Sequence, residues 1–174
     1  MDEIPWRVQL GFVAACYAAV LVFSGVMITV RHVVALGNPA DFNGGMAAAG
    51  DWMLELFIGG LLLIPTFFLA FVIRKREALY TAFSKVLFGL SLTAPISLGL
   101  MLVPAVSQSD TILGSFCLYR LSDTPIVLTG LGVSRLLAQS KPAKRLISCA
   151  LLIEAATIAL MLAFLFLSVR SHGA

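Results

Sequence analysis

Charge is scarce in this sequence. Charged residues make up 12% of the 174, about half the roughly 25% of an ordinary soluble domain. With 60% hydrophobic residues and a mean hydropathy of +0.99, a soluble chain of this length has no way to hide its apolar surface from water. Cysteine is equally sparse. Cys16, Cys117 and Cys149 form no C-x-x-C pair, which argues against a disulfide framework and a thiolate metal site. All three read as buried free thiols. Histidine occurs twice, as His32 and His172, with no third ligand at a telling spacing, so no metal site is expected. No Walker loop, H-E-x-x-H, G-x-S-x-G or dinucleotide fingerprint is present. No catalytic residue is therefore assigned, and nothing in the sequence names a cofactor.

What the sequence does have is long apolar runs. The alternating ten-residue segments of a transmembrane β-barrel are missing. In their place, five continuous segments approach or exceed the roughly 20 residues that cross a bilayer as a helix. They cover about 8–30, 52–73, 82–103, 111–134 and 146–169. The expected fold is all-α: a polytopic integral membrane protein forming a single five-helix transmembrane domain over residues 1–174. The run after Arg7 is too long for a signal-peptide core and reads as a retained anchor.

The basic residues orient this threading. Nine of the twelve, from Arg7, the 74–85 loop and the 135–145 loop, fall on the side of the N-terminus. Arg31 and Arg170 fall on the other, and Arg120 lies inside the fourth run. A bias of that size predicts a cytoplasmic N-terminus and an outer C-terminus in a plasma-type or inner membrane. The net charge of +3 and pI near 9.0 are thereby assigned to topology and to anionic lipid headgroups at the cytoplasmic loops, and not to nucleic acid.

Local signals mark the boundaries. Asp51 is placed to cap the second span, with Trp52 at the interface. Pro104 ends the third span, and Ser140-Lys141-Pro142 turns the chain into the fifth. Glu55 reads as a solvated residue near the outer start of its helix. Small residues four apart, Gly11-Ala15-Ala19 and Gly89-Thr93-Ser97, allow close helix approach within the chain or with a partner.

The polar residues of the fourth and fifth spans are the candidate site. Arg120 and Asp123 share a helix face with Cys117, Thr124, Val127, Gly130 and Ser134, a small, polar stripe that should turn inward. Pro125 removes one backbone hydrogen bond and frees the carbonyl of Leu121. Ser122 and Asp123 are placed to cap a restarted helix, so the fourth span is expected to be kinked or broken near Ser122–Pro125. Arg120 and Asp123 form either a structural ion pair or part of a functional site, unless residues 112–122 lie on the outer surface. Glu154 shares a face with Ala150, Thr157 and Met161; it is either neutral, a proton relay, or the partner of Arg120 across helices. The candidate intramembrane site is therefore Arg120, Asp123, Thr124 and Glu154.

Three functions fit these features. The first is a non-enzymatic subunit or homo-oligomerising component of a larger membrane complex. The second is a small transporter or channel, in which Arg120 meets an anionic group and Asp123 or Glu154 carries a proton. A lipid-active enzyme comes last, for want of a nucleophile.

Overall fold

The computed structural model describes residues 5–37, 45–107 and 112–172. All regular structure among them is helical: α1 Trp6–Gly37, α2 Gly45–Ile73, α3 Glu77–Met101, α4 Pro104–Ser107, α5 Ile112–Ser122, α6 Thr124–Leu137 and α7 Lys141–His172. Four helices are long and apolar enough to cross a membrane, over Trp6–Ala35, Ala49–Ile73, Glu77–Met101 and Lys141–Phe164. They correspond to the first, second, third and fifth predicted runs. The fourth run falls on α5 and α6, of 11 and 14 residues; its expected first residue, Thr111, lies outside the described residues.

The chain divides into two compact units, residues 1–72 and 73–174. In the first, α1 and α2 touch along their length. Phe12 meets Phe68 edge-on at 6.1 Å, and Phe23 meets Phe57 at 6.4 Å. The Tyr17 hydroxyl hydrogen-bonds Thr66 Oγ1 at 2.7 Å, and Thr66 donates onward to the Leu62 carbonyl at 2.7 Å. Arg31 pairs with Asp51. Its guanidinium lies over Gly50, where an added Cβ would come within 3.3 Å of it.

Several boundary expectations change here. Asp51 is not a cap, because α2 starts upstream at Gly45 and places Asp51 inside the helix. The same early start puts Glu55 about three turns in, half-buried, and not at the helix mouth. Among the described residues, Gly11 and Gly89 do not bring helices together inside their own units: an added Cβ at either meets nothing within 4 Å. A small residue permits close approach, but neighbouring side chains decide whether it is used. Of the three thiols only Cys117 is buried; Cys16 is intermediate and Cys149 exposed.

The second unit packs α3 against α5 and α7, with α6 also against α7. Its core follows helical periodicity. On α7 the buried positions are Ala143, Ile147, Ala150, Glu154 and Thr157, one stripe at intervals of three and four. On α5 and α6 they include Cys117, Arg120, Thr124, Gly130, Leu131 and Ser134, which is the inward stripe the sequence predicts. On α3 they are Tyr80, Ser84, Ser91, Ala94 and Ser97. The core is thus lean in large apolar groups and rich in hydroxyls. The Tyr80 hydroxyl donates to the Ser134 carbonyl, which also accepts the Ala138 N–H at 3.0 Å. Ser140 caps α7, its hydroxyl accepting the Ala143 N–H at 3.4 Å.

Candidate functional site

The site lies where α5 hands over to α6. α5 ends at Ser122 and α6 begins at Thr124, with Asp123 between them at φ −75° and ψ −7°. Pro125 at the second position of α6 has no N–H to give to Leu121, as its ring dictates. The Thr124 hydroxyl takes that place, donating to the Leu121 carbonyl at 2.8 Å. This differs from the capping expected of Ser122 and Asp123. Asp123 makes no side-chain cap bond, and Ser122 donates backward to the Leu118 carbonyl at 3.1 Å. A backbone still near helical dihedrals aims no N–H groups at a capping oxygen.

Arg120 points into the bundle from the last turn of α5, with 7% of its surface exposed, and Glu154 comes from α7 with 0%. The guanidinium Nη2 donates to Glu154 Oε1. It also donates to the Leu90 carbonyl at 3.2 Å, and Nε donates to Thr93 Oγ1 at 2.7 Å. Thr93 itself donates to Leu90 at 2.6 Å, so that carbonyl accepts from both. The Ser91 hydroxyl lies within hydrogen-bonding reach of the Glu154 carboxyl, but its proton is given to the Leu87 carbonyl at 3.1 Å. Three helices therefore converge on one cation.

Of the four residues the sequence singles out, the structure joins Arg120 and Glu154 directly. Thr124 is buried one turn beyond Arg120, bonded to Leu121. Asp123 lies within the electrostatic reach of Arg120, yet the two form no ion pair among the described residues. The structural Arg120–Asp123 pair is thus replaced by an interhelical Arg120–Glu154 pair, because helix packing brings the α7 carboxyl to the guanidinium.

Sequence reasoning missed Leu90 and Ser91, and it reached Thr93 only as a member of the Gly89-Thr93-Ser97 packing stripe. A signal was present: α3 concentrates Ser84, Ser91, Thr93 and Ser97 within one apolar run. Hydroxyls of that density inside a span belong to helix contacts or to a polar site.

The pairing is incomplete. Arg120 Nη1, Glu154 Oε2 and Asp123 Oδ1 are buried and make no hydrogen bond to any described residue. Guanidinium and carboxylate are shaped for two parallel bonds, and only one is made. Each unmatched buried polar group costs about 1–3 kcal/mol, more when charged. Among the described residues no group of three potential metal ligands occurs; the cluster offers one cation, two carboxyls and the hydroxyls of Ser91, Thr93 and Thr124.

The apolar helices fit a membrane protein, and the buried charged cluster is the feature of that protein with chemistry to offer. Protein-family models, curated proteins and solved structures yield no match to the chain.

Proposed function

We propose that this chain is a small membrane transporter whose solute site is the Arg120–Glu154–Asp123 cluster. The observation that carries this is the set of three unmatched polar atoms on those residues. A pair kept only to hold helices together gains from closing both bonds. A pair with an open donor and an open acceptor has groups left for a solute.

The reading includes five spans, with α5 and α6 together forming the fourth, kinked or broken at Asp123. Helix direction supports it. Leu90 and Glu154 both meet Arg120, and each lies thirteen residues past the first residue of its helix, Glu77 and Lys141. Arg120 meets Leu90, while Tyr80, earlier on α3, meets Ser134, later on α5–α6, so α3 and α5–α6 run oppositely. The short turn at 138–140 reverses the chain again into α7. Alternation of this kind is what third, fourth and fifth spans require. Residues 112–137 amount to about 39 Å of helix, enough for a hydrocarbon core of about 30 Å. The cluster then sits about 20 Å from the helix starts, near mid-membrane. The reading puts the N-terminus in the cytoplasm and the C-terminus outside, in the cell membrane, and the bias of the basic residues supports it. Arg74, Lys75 and Glu77 line a cavity of about 250 Å³ with Tyr80, Gln139 and Ser140, at the level where headgroups would be met.

The test is reconstitution into vesicles, with swelling followed by light scattering in isosmotic sodium formate, sodium nitrate, glycerol and urea. The wild type should admit at least one of these faster than protein-free vesicles, and Arg120→Met/Glu154→Leu should not. No difference for any of the four refutes the transport reading.

A second reading is a non-enzymatic subunit. It is favoured by the open faces at Gly11 and Gly89, where another helix would find backbone within reach. Purification in mild detergent that brings down a stoichiometric partner protein would support it over transport.

A further inference from the structure

We infer that the solute is a small planar oxyanion with two adjacent oxygens, a carboxylate or its like, and that it enters the site together with one proton. The inference rests on the transport reading and deepens it.

Shape comes from the donors. A guanidinium has five N–H bonds. Nε uses one on Thr93, and Nη2 meets Glu154 and Leu90. Both N–H bonds of Nη1 are unspent. The Nη1–Nη2 edge is a fork that matches a planar two-oxygen group, and Glu154 fills it with a single oxygen. A solute carboxylate offers the bond Glu154 makes and the one it leaves open.

The proton comes from charge. The site holds one cation and two carboxyls, Arg120 against Glu154 and Asp123, both within its electrostatic reach. The other groups that α3 and α5–α6 turn towards it are neutral: the Leu90 carbonyl and the hydroxyls of Ser91, Thr93 and Thr124. Unbalanced charge at this depth is strongly disfavoured. The empty site is therefore neutral with one carboxyl protonated. A monovalent anion adds one negative charge, and neutrality returns when a proton from water joins the second carboxyl. In that step the hydrogen bond from Nη2 to Glu154 breaks. Two N–H···O bonds to the anion form, and the proton resides on the displaced carboxyl. The stoichiometry is one proton per anion.

The count, not one particular residue, sets this number. Glu154→Gln and Asp123→Asn each leave one cation and one carboxylate, so each still takes up one proton per anion. Glu154→Gln/Asp123→Asn leaves a bare cation, which binds the anion with no proton.

The experiment is calorimetric titration of the detergent-purified protein with sodium formate, with sodium chloride as the single-atom comparison. A pH indicator in weakly buffered solution counts protons. The wild type should take up about one proton per formate, and wherever it does so its affinity should fall about tenfold per pH unit. The double variant should bind formate with no uptake and a flat pH profile. Protection of Cys117, buried in the native fold, against maleimide certifies that each variant is folded. If the double variant fails that check, the wild-type count decides alone. Formate binding without proton uptake in the wild type overturns the coupling and leaves the solute site standing. Chloride binding as tight as formate overturns the planar class. Absence of both formate binding and vesicle flux removes the solute reading with it.

Discussion

Replacing Glu154 by leucine exposes the energetics of the cluster directly. The change strands the Arg120 guanidinium with two neutral acceptors, Thr93 Oγ1 and the Leu90 carbonyl. Breaking a buried pair from one side costs about 3–5 kcal/mol, because an uncompensated charge is left behind. Asp123 pulls the value towards the lower end, since it lies in the field of the same cation. Both tryptophans, Trp6 and Trp52, belong to the first unit, so their fluorescence is a poor reporter of this site. Cys117 is better: it is fully buried on α5, one turn before Arg120. In a Cys16→Ser/Cys149→Ser background its maleimide labelling rate reports opening of the second unit, provided reclosing outpaces labelling. At about 1.4 kcal/mol per tenfold, Glu154→Leu should speed labelling roughly 10²- to 10³-fold. Arg120→Met/Glu154→Leu removes both charges and should return the rate to within about tenfold of the parent, or below it. A single variant that labels at the parental rate would show that the pair is not buried as described. A double variant as unprotected as the single would show that packing, not charge, is what Glu154 supplies.

Two further substitutions probe the neighbouring structure. Thr124→Val removes the hydroxyl that serves the Leu121 carbonyl above Pro125; it should cost about 1–3 kcal/mol in the same labelling assay, with Thr124→Ser restoring most of it. Asp51→Ala breaks the Arg31 pair of the first unit, whose side chains are 26% and 48% exposed; the loss should stay within about 1 kcal/mol by thermal denaturation followed at Trp52.

Hydropathy made the helical membrane class readable, because apolar runs of span length have few other uses. The inward face of α5 and α6 was readable for a related reason: small and polar groups at helical spacing, Cys117 through Ser134, are poor company for lipid. The partner of Arg120 was not decidable. Asp123 is three residues away and Glu154 thirty-four, and local spacing favours the first. The near carboxyl loses because a residue three along the helix is set by helix geometry, whereas α7 can bring its carboxyl onto the guanidinium. The Leu90 carbonyl was out of reach altogether, since any backbone oxygen of α3 would serve and only packing height selects one. Asp51 was misread for the opposite reason. It looked like a cap, but α2 had already begun at Gly45, and its carboxylate is used on Arg31 instead.

The half-made pair can be weighed against a simpler design. If α3, α5 and α7 needed only to be held together, apolar residues of similar volume would do so at no loss, and often with a gain of about 1–4 kcal/mol. The observed cluster carries that penalty and adds three polar atoms without partners. Interhelical hydrogen bonds in bilayers recover little of it, about 0.6 kcal/mol each on average. Stability alone therefore gives no reason to keep Arg120, Glu154 and Asp123 together, and the Arg120→Met/Glu154→Leu variant turns this into a measurement. A staple predicts that removing both charges loosens Cys117. A solute site predicts a protein at least as well protected as its parent, and silent in every flux assay in which the parent is active.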